Sequence, residues 1–531
     1  FVQFSLLHDL VDRRAHRDGQ DRREDEREAG VQHHELLADA HTREQPAESA
    51  RGRGECSLGW PPRHGSTLSS RLATHRQPPV HTYALGDAAR DAAIRALAGQ
   101  ARAYPNLHPD PLQTAALDAR DAGLARAIYT AAVRRWITLA YLLDRQIRQG
   151  FDGLERPMKG VLLAGGAQLL FLDRVPAHAA INHAVEWAKQ NVRPGAGGLV
   201  NAVLRRIADL RAGAAVAPGP WVGQADTIPL DSGEVLLCGG PVLPDEALDR
   251  LAVATSHPRA ILEHWSVRHA DERLRKLALH SLVEPPVVLS TGHAALPLND
   301  FFGAATAPHA HSHHRVVIDE SATIADLLAS ARGVWVQDAA SGEAVRSVAD
   351  LKPRLIVDPC AGQGTKTRQL AATFPDAAIV ATDIDPTRFA TLQTCFRGSA
   401  QVDVMPASRV RERCIGRADL VLLDVPCSNT GVLPRRPEAR YRFSRASVES
   451  LSAVQREIVE GSIPLLAHGG RILYSTCSLE AQENGDQAAW MGGFHGFRAE
   501  REQSIEPSGV AGDSPTSYRD GAYSVLLSRR S

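Results

Sequence analysis

"RLIVDPCAGQGTKT" (354–367) is the stretch on which the fold turns. A short apolar run ends on Asp358, Gly362 and Gly364 permit a tight turn, and "TKTRQLAATF" (365–374) continues with helical spacing. Strand, glycine turn and helix form the repeating unit of a parallel α/β sheet. The spacing is not G-x-x-x-x-G-K-[ST], so the turn is no Walker loop. Reading toward the C-terminus, "AAIVATDID" (377–385), "ADLVLLDVPC" (418–427), "GRILYSTC" (470–477) and "AYSVLLSRR" (522–530) are further apolar strands separated by helical stretches. Strands buried on both faces and alternating with helices predict an α/β, doubly wound parallel sheet over residues 334–531. Ligands in such sheets sit beyond the carboxyl ends of the strands, and the chemically active residues here cluster at those ends.

Two of those ends point to a cofactor. Glycine is needed where backbone must come close to a ligand, and Asp383 closes the second strand 19 residues after Gly364. An acid there accepts hydrogen bonds from ribose hydroxyls; the other reading is a solvent-exposed strand-end acid. Together they argue for an adenosine-bearing cofactor, a dinucleotide or S-adenosylmethionine. Asp403, in "QVDVMP" (401–406), is placed to meet the adenine edge. Two further ends carry thiols: Asp424, Pro426 and Cys427 follow one strand, Thr476 and Cys477 another. If these strands are neighbours their ends lie roughly 5 Å apart. A thiol at a strand end entering a helix start favours the thiolate, whereas Cys395 and Cys414 read as small buried hydrophobes.

Before the sheet the pattern changes. "GLARAIYTAAVRRWITLAYLLDRQIRQ" and "GGLVNAVLRRIADL" carry apolar residues at three- and four-residue steps, so residues 82–212 are expected to be an all-α bundle without chemistry of its own. Residues 213–333 form a mixed, Pro- and Gly-rich connecting subdomain, in which "SHPRAILEHW" (256–265) reads as a helix start capped by Ser256. In "ATAPHAHSHHR" (305–315), His309, His311, His313 and His314 read as a solvated loop rather than a metal site. Residues 1–80 are dense in charge and lack apolar periodicity, which predicts disorder or a spurious extension. The chain opens on Phe1 and its first Met is Met158, so a fragment or a start set too far upstream is expected. The pair His33 and His34 lacks a second ligand pair.

The motifs "DPCAGQGTKT", "DVPCSNTG" and "YSTCSLEAQEN" resemble those of RNA cytosine-5 methyltransferases. More narrowly, they resemble the bacterial 16S rRNA methyltransferases of the Sun/Fmu (RsmB) type, whose NusB-like helical domain is similar to "RVPAHAAINHAVEWAK…GGLVNAVLRRI" (174–207). The resemblance spans residues 82 to 531 and implies a Rossmann-like S-adenosylmethionine methyltransferase sheet behind a NusB-like RNA-binding domain. It implies that Cys477 attacks C6 of a cytosine, that Cys427 assists product release, and that Asp424 grips the cytosine edge. Cofactor contacts are implied for Cys360, Ala361, Gly362, Gln363, Gly364, Thr365, Lys366, Asp383, Asp403 and Asp424, with no metal. The family loop reads closer to C-A-A-P-G-G-K, so Gln363 and Thr365 are departures. A flipped or single-stranded nucleotide is expected as target. The alternatives are a tRNA target and a non-catalytic NusB-like RNA-binding or antitermination protein.

Composition bounds the rest. The formal charge of −1 gives no global basic field, so RNA must meet a local patch. "PRRPEARYRFSR" (434–445), with five Arg against one Glu and Tyr441 and Phe443 between them, is that expected patch. Seven scattered Cys suit a reducing compartment, and the longest apolar stretch, 12 residues over 161–172, is too short to span a bilayer. The expectation is a cytoplasmic, monomeric enzyme with RNA as partner, without DNA or membrane.

Overall fold

The computed structural model describes residues 87–109, 112–295, 305–319, 324–329 and 331–529. The expectations for residues 1–80, His33 and His34 among them, lie outside the described residues. Among those described, no helix is long and apolar enough to cross a membrane.

The helical region holds α1 (Asp87–Ala103), α2 (Ala119–Arg134), α3 (Trp136–Asp144), α4 (Arg156–Phe171), α5 (Ala177–Asn191) and α6 (Ala196–Ala208). On α1 the buried positions Ala89, Ala93, Ile94, Leu97 and Gln100 form one stripe at helical spacing. Helix α4 is buried in a continuous run from Gly160 to Leu170, which makes it the centre of the bundle. Its approach to α1 requires glycine: a Cβ on Gly160 would lie 2.7 Å from the Ala98 nitrogen and 2.8 Å from the Ile94 oxygen.

A three-stranded antiparallel sheet follows, β1 (Arg211–Ala217), β2 (Thr227–Pro229) and β3 (Val235–Cys238), in the order β1-β3-β2. Three helices, Ala247–Thr255, Arg259–Ser266 and Asp271–His280, then extend the bundle's core. Ser256 is not the cap of the helix that follows it. It ends the preceding helix in the left-handed conformation (φ 58°), and its hydroxyl accepts the Ile137 N–H at 2.9 Å. A second antiparallel sheet, order β5-β6-β4-β7, contains β4 (Val288–Ser290), β5 (Thr306–Pro308), β6 (His314–Val317) and β7 (Trp335–Val336). Here the histidine-rich stretch departs from a solvated loop. His309 and His314 are buried, and His309 Nε2 lies 2.7 Å from the Tyr518 carbonyl.

The large sheet has seven strands in the order β10-β9-β8-β11-β12-β14-β13. They are β8 (Leu355–Asp358), β9 (Ala378–Ala381), β10 (Val402–Val404), β11 (Ala418–Asp424), β12 (Leu466–Thr476), β13 (Phe497–Ile505) and β14 (Ala522–Arg529). The first five run parallel, while β14 lies antiparallel between β12 and β13. The sheet is therefore Rossmann-like with one reversed strand. Alternation along β11 explains its unbroken apolar run: Leu420 and Leu422 enter the core on one face, Val421 and Leu423 the core on the other. Strand order reverses at β8, flanked by β9 and β11, so a crevice opens beyond the ends of β8 and β11.

Candidate active site

At the end of β8 the chain turns through the glycine loop. Gly362 (φ 57°) and Gly364 (φ 90°) both take the left-handed region. A Cβ on Gly364 would strike Phe396 at 2.7 Å and Leu392 at 2.9 Å, whereas around Gly362 nothing lies within 4 Å. One glycine thus lets the loop pack inward, and the other leaves open space beside the backbone. Asp383, at the end of β9, accepts the Gly362 N–H at 2.8 Å on one oxygen and the Asp385 N–H at 2.8 Å on the other. Gln363 and Thr365, where the loop departs from the family pattern, are both exposed and leave the packed side of the turn intact. Burial pushes the Cys360 thiol well above its usual range, and the neighbouring carboxylates add to the effect. Asp403 lies apart from this cluster, about half exposed and paired with Arg413 at 2.5 Å.

Asp358 is fully buried. Thr367 donates to one of its oxygens at 2.7 Å and the other has no partner. Burial pushes its carboxyl up to about 7, against the opposing hydrogen bond from Thr367. The set fits an adenosine-bearing cofactor: an open backbone cradle at Gly362, a helix start at Thr365, and the acid Asp383 just beyond the end of β9.

The thiol strands β11 and β12 are direct neighbours, with Asp424 opposite Ser475. Their ends bring Cys427 Sγ and Cys477 Sγ to 3.0 Å. Cys427 is buried and Cys477 half-buried. The adjoining Cys477 thiol, then burial, hold Cys427 well above the usual thiol range. Asn429, left-handed at φ 61°, donates its amide to the Cys427 carbonyl at 2.8 Å and presents its oxygen 3.4 Å from Cys477 Sγ. The two loops are joined through backbone as well, Gly431 N–H donating to the Cys477 carbonyl at 2.9 Å. Asp424 accepts from Lys366 Nζ at 2.8 Å and from the Ser475 hydroxyl at 2.8 Å. Burial works against the Lys366 charge, but the Asp424 carboxylate more than restores it and holds the ammonium above its usual range. One carboxylate therefore ties the glycine-loop helix to the thiol strands.

The arginine-rich stretch beside the thiols corrects the sequence expectation of a patch open to RNA in part: Arg445 is exposed and Arg436 and Arg442 are half-buried, but Arg440 and both aromatics are turned inward. Arg440 is fully buried, donating to the carbonyls of Thr255 at 3.1 Å and Ser281 at 2.9 Å. Tyr441 is buried with its hydroxyl donating to the Val133 carbonyl at 2.6 Å, and Phe443 is buried too. Arg435 pairs with Asp520 at 2.6 Å and Asp338 at 3.2 Å, and Arg436 with Glu438 at 2.7 Å. The stretch is an internal latch between the helical region and the catalytic sheet. A second latch leaves the other thiol loop: the buried Glu480 accepts from Trp265 Nε1 at 3.1 Å and lies 2.7 Å from His264 Nε2. Sequence reasoning also passed over Glu483, Ser428 and Ser478, which connect the two thiol loops directly. Their nearness to Cys427 and Cys477 in "PCS" and "TCSLEAQE" was the available signal. Among the described residues no group of three or more His, Cys, Asp or Glu is placed to hold a metal ion.

Residues 349–492 match the family described as 16S rRNA methyltransferase RsmB/F, and residues 87–209 match the NusB family. Ribosomal RNA small subunit methyltransferase B of Vibrio cholerae serotype O1 is 28% identical over 376 residues, covering 69% of this chain and 80% of that protein. The protein of the same name from Escherichia coli O17:K52:H18 is 28% identical over 404 residues, covering 74% and 86%. The crystal structure of PH0851 shares the fold with a TM-score of 0.63 at 19% identity, over 84% of this chain and 99% of that one.

Proposed function

Because the chain joins an RsmB/F-type rRNA methyltransferase domain to a NusB-family domain, we propose that it methylates C5 of a cytosine in 16S rRNA. The observation that carries this reading is the contact between two thiols, 3.0 Å apart, beside the Asp424–Lys366 pair. A ring carbon such as C5 is a poor nucleophile until a thiolate adds at C6, and a site for that chemistry needs a thiol, a grip on the base edge and a way to release the adduct.

Cys477 is the attacker in this scheme. Cys427 enters as a neutral thiol, since its neighbour and burial hold it protonated. Each Asp424 oxygen accepts one bond from the protein and retains a free lone pair, so the carboxylate can still take the cytosine exocyclic N–H. Residues 360–366 and Asp383 would hold S-adenosylmethionine, which when bound would supply an electrophilic methyl group; Asp403, engaged by Arg413, would reach it only on leaving that pair. Addition of Cys477 at C6 makes C5 nucleophilic toward that methyl. Loss of the C5 proton to a base then re-forms the C5–C6 double bond and expels the Cys477 thiolate, with Cys427 assisting release. The base must leave any stack to reach the thiols, so the target nucleotide is flipped or unpaired.

The test is to incubate 16S rRNA and cofactor with Cys477→Ala and Cys427→Ala proteins. Cys477→Ala is expected to give neither 5-methylcytosine nor adduct. Cys427→Ala should accumulate a covalent protein–RNA species on a denaturing gel. The reverse pattern overturns the assignment of roles, and activity in both variants overturns the thiol mechanism. A wild-type protein that methylates tRNA and leaves 16S rRNA unchanged overturns the substrate.

A further inference from the structure

Beneath the two thiols lies a carboxylate that the reaction does not consume. Glu483 is fully buried, and four neutral donors converge on it. Its Oε1 accepts the Ser428 N–H at 2.9 Å and Gln455 Nε2 at 3.0 Å. Its Oε2 accepts the hydroxyls of Ser428 and Ser478, each at 2.5 Å. Ser428 follows Cys427 and Ser478 follows Cys477, so one carboxylate holds the residue next to each sulfur. Gln455 also donates to the carbonyl of Pro426, the residue before Cys427, at 3.0 Å. The Glu483 backbone is fixed in turn, its carbonyl accepting the Tyr474 hydroxyl at 2.7 Å.

We propose that Glu483 is the positioning residue for both thiols, setting the distance and direction between Cys427 and Cys477 on which adduct formation and release depend. The proposal rests on the two-thiol reading above. Its physical basis is the number of bonds a carboxylate can accept. Two oxygens offer about four lone-pair sites, and all four are filled by donors from the two loops and the helix Arg445–Ser462. Burial pushes the carboxyl up, and the bonds from Ser428 and Ser478 oppose that shift. A buried carboxylate with neutral donors alone is costly to keep. Its bonds to the residue after each cysteine account for that cost better than packing does, because an apolar side chain would fill the space without ordering either loop.

Two readouts separate positioning from mere support. The first is kinetic: Glu483→Ala is expected to lower kcat about 100-fold, as for a reacting group displaced by an ångström, with KM changed less than about threefold. Glu483→Gln should recover most of the loss. Its amide oxygen keeps the two N–H donors, and its NH2 can donate to the serine hydroxyls, which turn to accept. A Gln variant as inactive as the Ala variant overturns the proposal, because charge rather than alignment would then be at work. The second readout needs no methyl transfer: diamide closing the Cys427–Cys477 disulfide in the cofactor-free protein. Wild type and Glu483→Gln should close it at similar rates and Glu483→Ala about tenfold slower, the sulfurs no longer being held in contact. Equal rates in all three overturn the proposal. If Glu483→Ala does not fold, Ser428→Ala/Ser478→Ala decides, since it removes two of the four bonds. It is expected to show slower disulfide closure with an unchanged fold by circular dichroism, and wild-type closure overturns the proposal. A wild-type protein that closes the disulfide but never methylates RNA overturns the functional reading, and with it the link to adduct formation, while the alignment of the two thiols by Glu483 is still decided by the closure rates.

Discussion

Asp358 joins the cofactor loop to the stability of the sheet. Its pKa is about 7 in the folded protein against 3.8 for the free side chain. A group raised on folding holds more protons in the native state between those values, so its contribution is fully present below about 3.8 and is lost as pH rises through about 7. The expected result is a denaturation midpoint for wild type that declines relative to Asp358→Asn between about pH 4 and about pH 7. Parallel curves for the two proteins count against this assignment. The neighbouring residues of the candidate site were picked from local signals, Asp424, Cys427 and Cys477 each standing at or just beyond the end of an apolar run, and the structure brings them together. The burial of Arg440 and Tyr441 was not legible in this way. Arg440 bonds Thr255, 185 residues away, and Tyr441 bonds Val133, 308 residues away, so nothing near them in sequence announces burial. An arginine-rich loop and an arginine-rich latch have the same composition.

Among the elements, the loop 424–431 depends most on one small residue. Gly431 is buried where the two thiol loops meet, and a Cβ there would lie 2.7 Å from both the Cys477 and the Gly521 carbonyl oxygens. Gly431→Ala must therefore push the Cys477 loop away, at a cost of about 1–3 kcal/mol. The expected outcome is a lower melting temperature together with a fall in adduct formation larger than the stability loss explains. Gel-based adduct yield beside a thermal melt checks both, and an unaltered yield rules the idea out. The parallel strands were readable because β8, β9 and β11 are apolar on both faces. Strand β13 was missed because "FRAEREQSI" (497–505) is exposed over most of its length, as suits a sheet edge, and its charges hide any apolar alternation. Ser256 was misread because Ser-x-Pro resembles a helix start, while the left-handed turn that ends the preceding helix leaves no mark in the residue type.

Across the whole molecule, the segment between β11 and β12 is built into the core of the helical region, while the sheet packs into two cores of its own. Leu433, Ala439, Tyr441, Phe443 and Val448 belong to the same buried cluster as Ala254, Ile261, Trp265 and Leu282. Arg440 and Glu480 add polar bonds across the same boundary. A fragment of residues 331–529 alone would expose that apolar surface and strand the buried Arg440, each unmet polar group costing about 1–3 kcal/mol. It is expected to be aggregation-prone, to lack a cooperative melt and to form no adduct. A monomeric, cooperatively melting and active fragment would refute this dependence.

The antiparallel placement of β14 between β12 and β13 also fixes an order of assembly during synthesis. As the chain leaves the ribosome, β12 and then β13 emerge first, yet they are not neighbours and cannot pair. The thiol-bearing strand must wait as an open edge until Ala522–Arg529 arrives to sit against it. Only then does β13 find its partner. A nascent chain halted before Ala522 holds both Cys427 and Cys477 and presents an unpaired strand beside them, the kind of surface that recruits another chain's backbone.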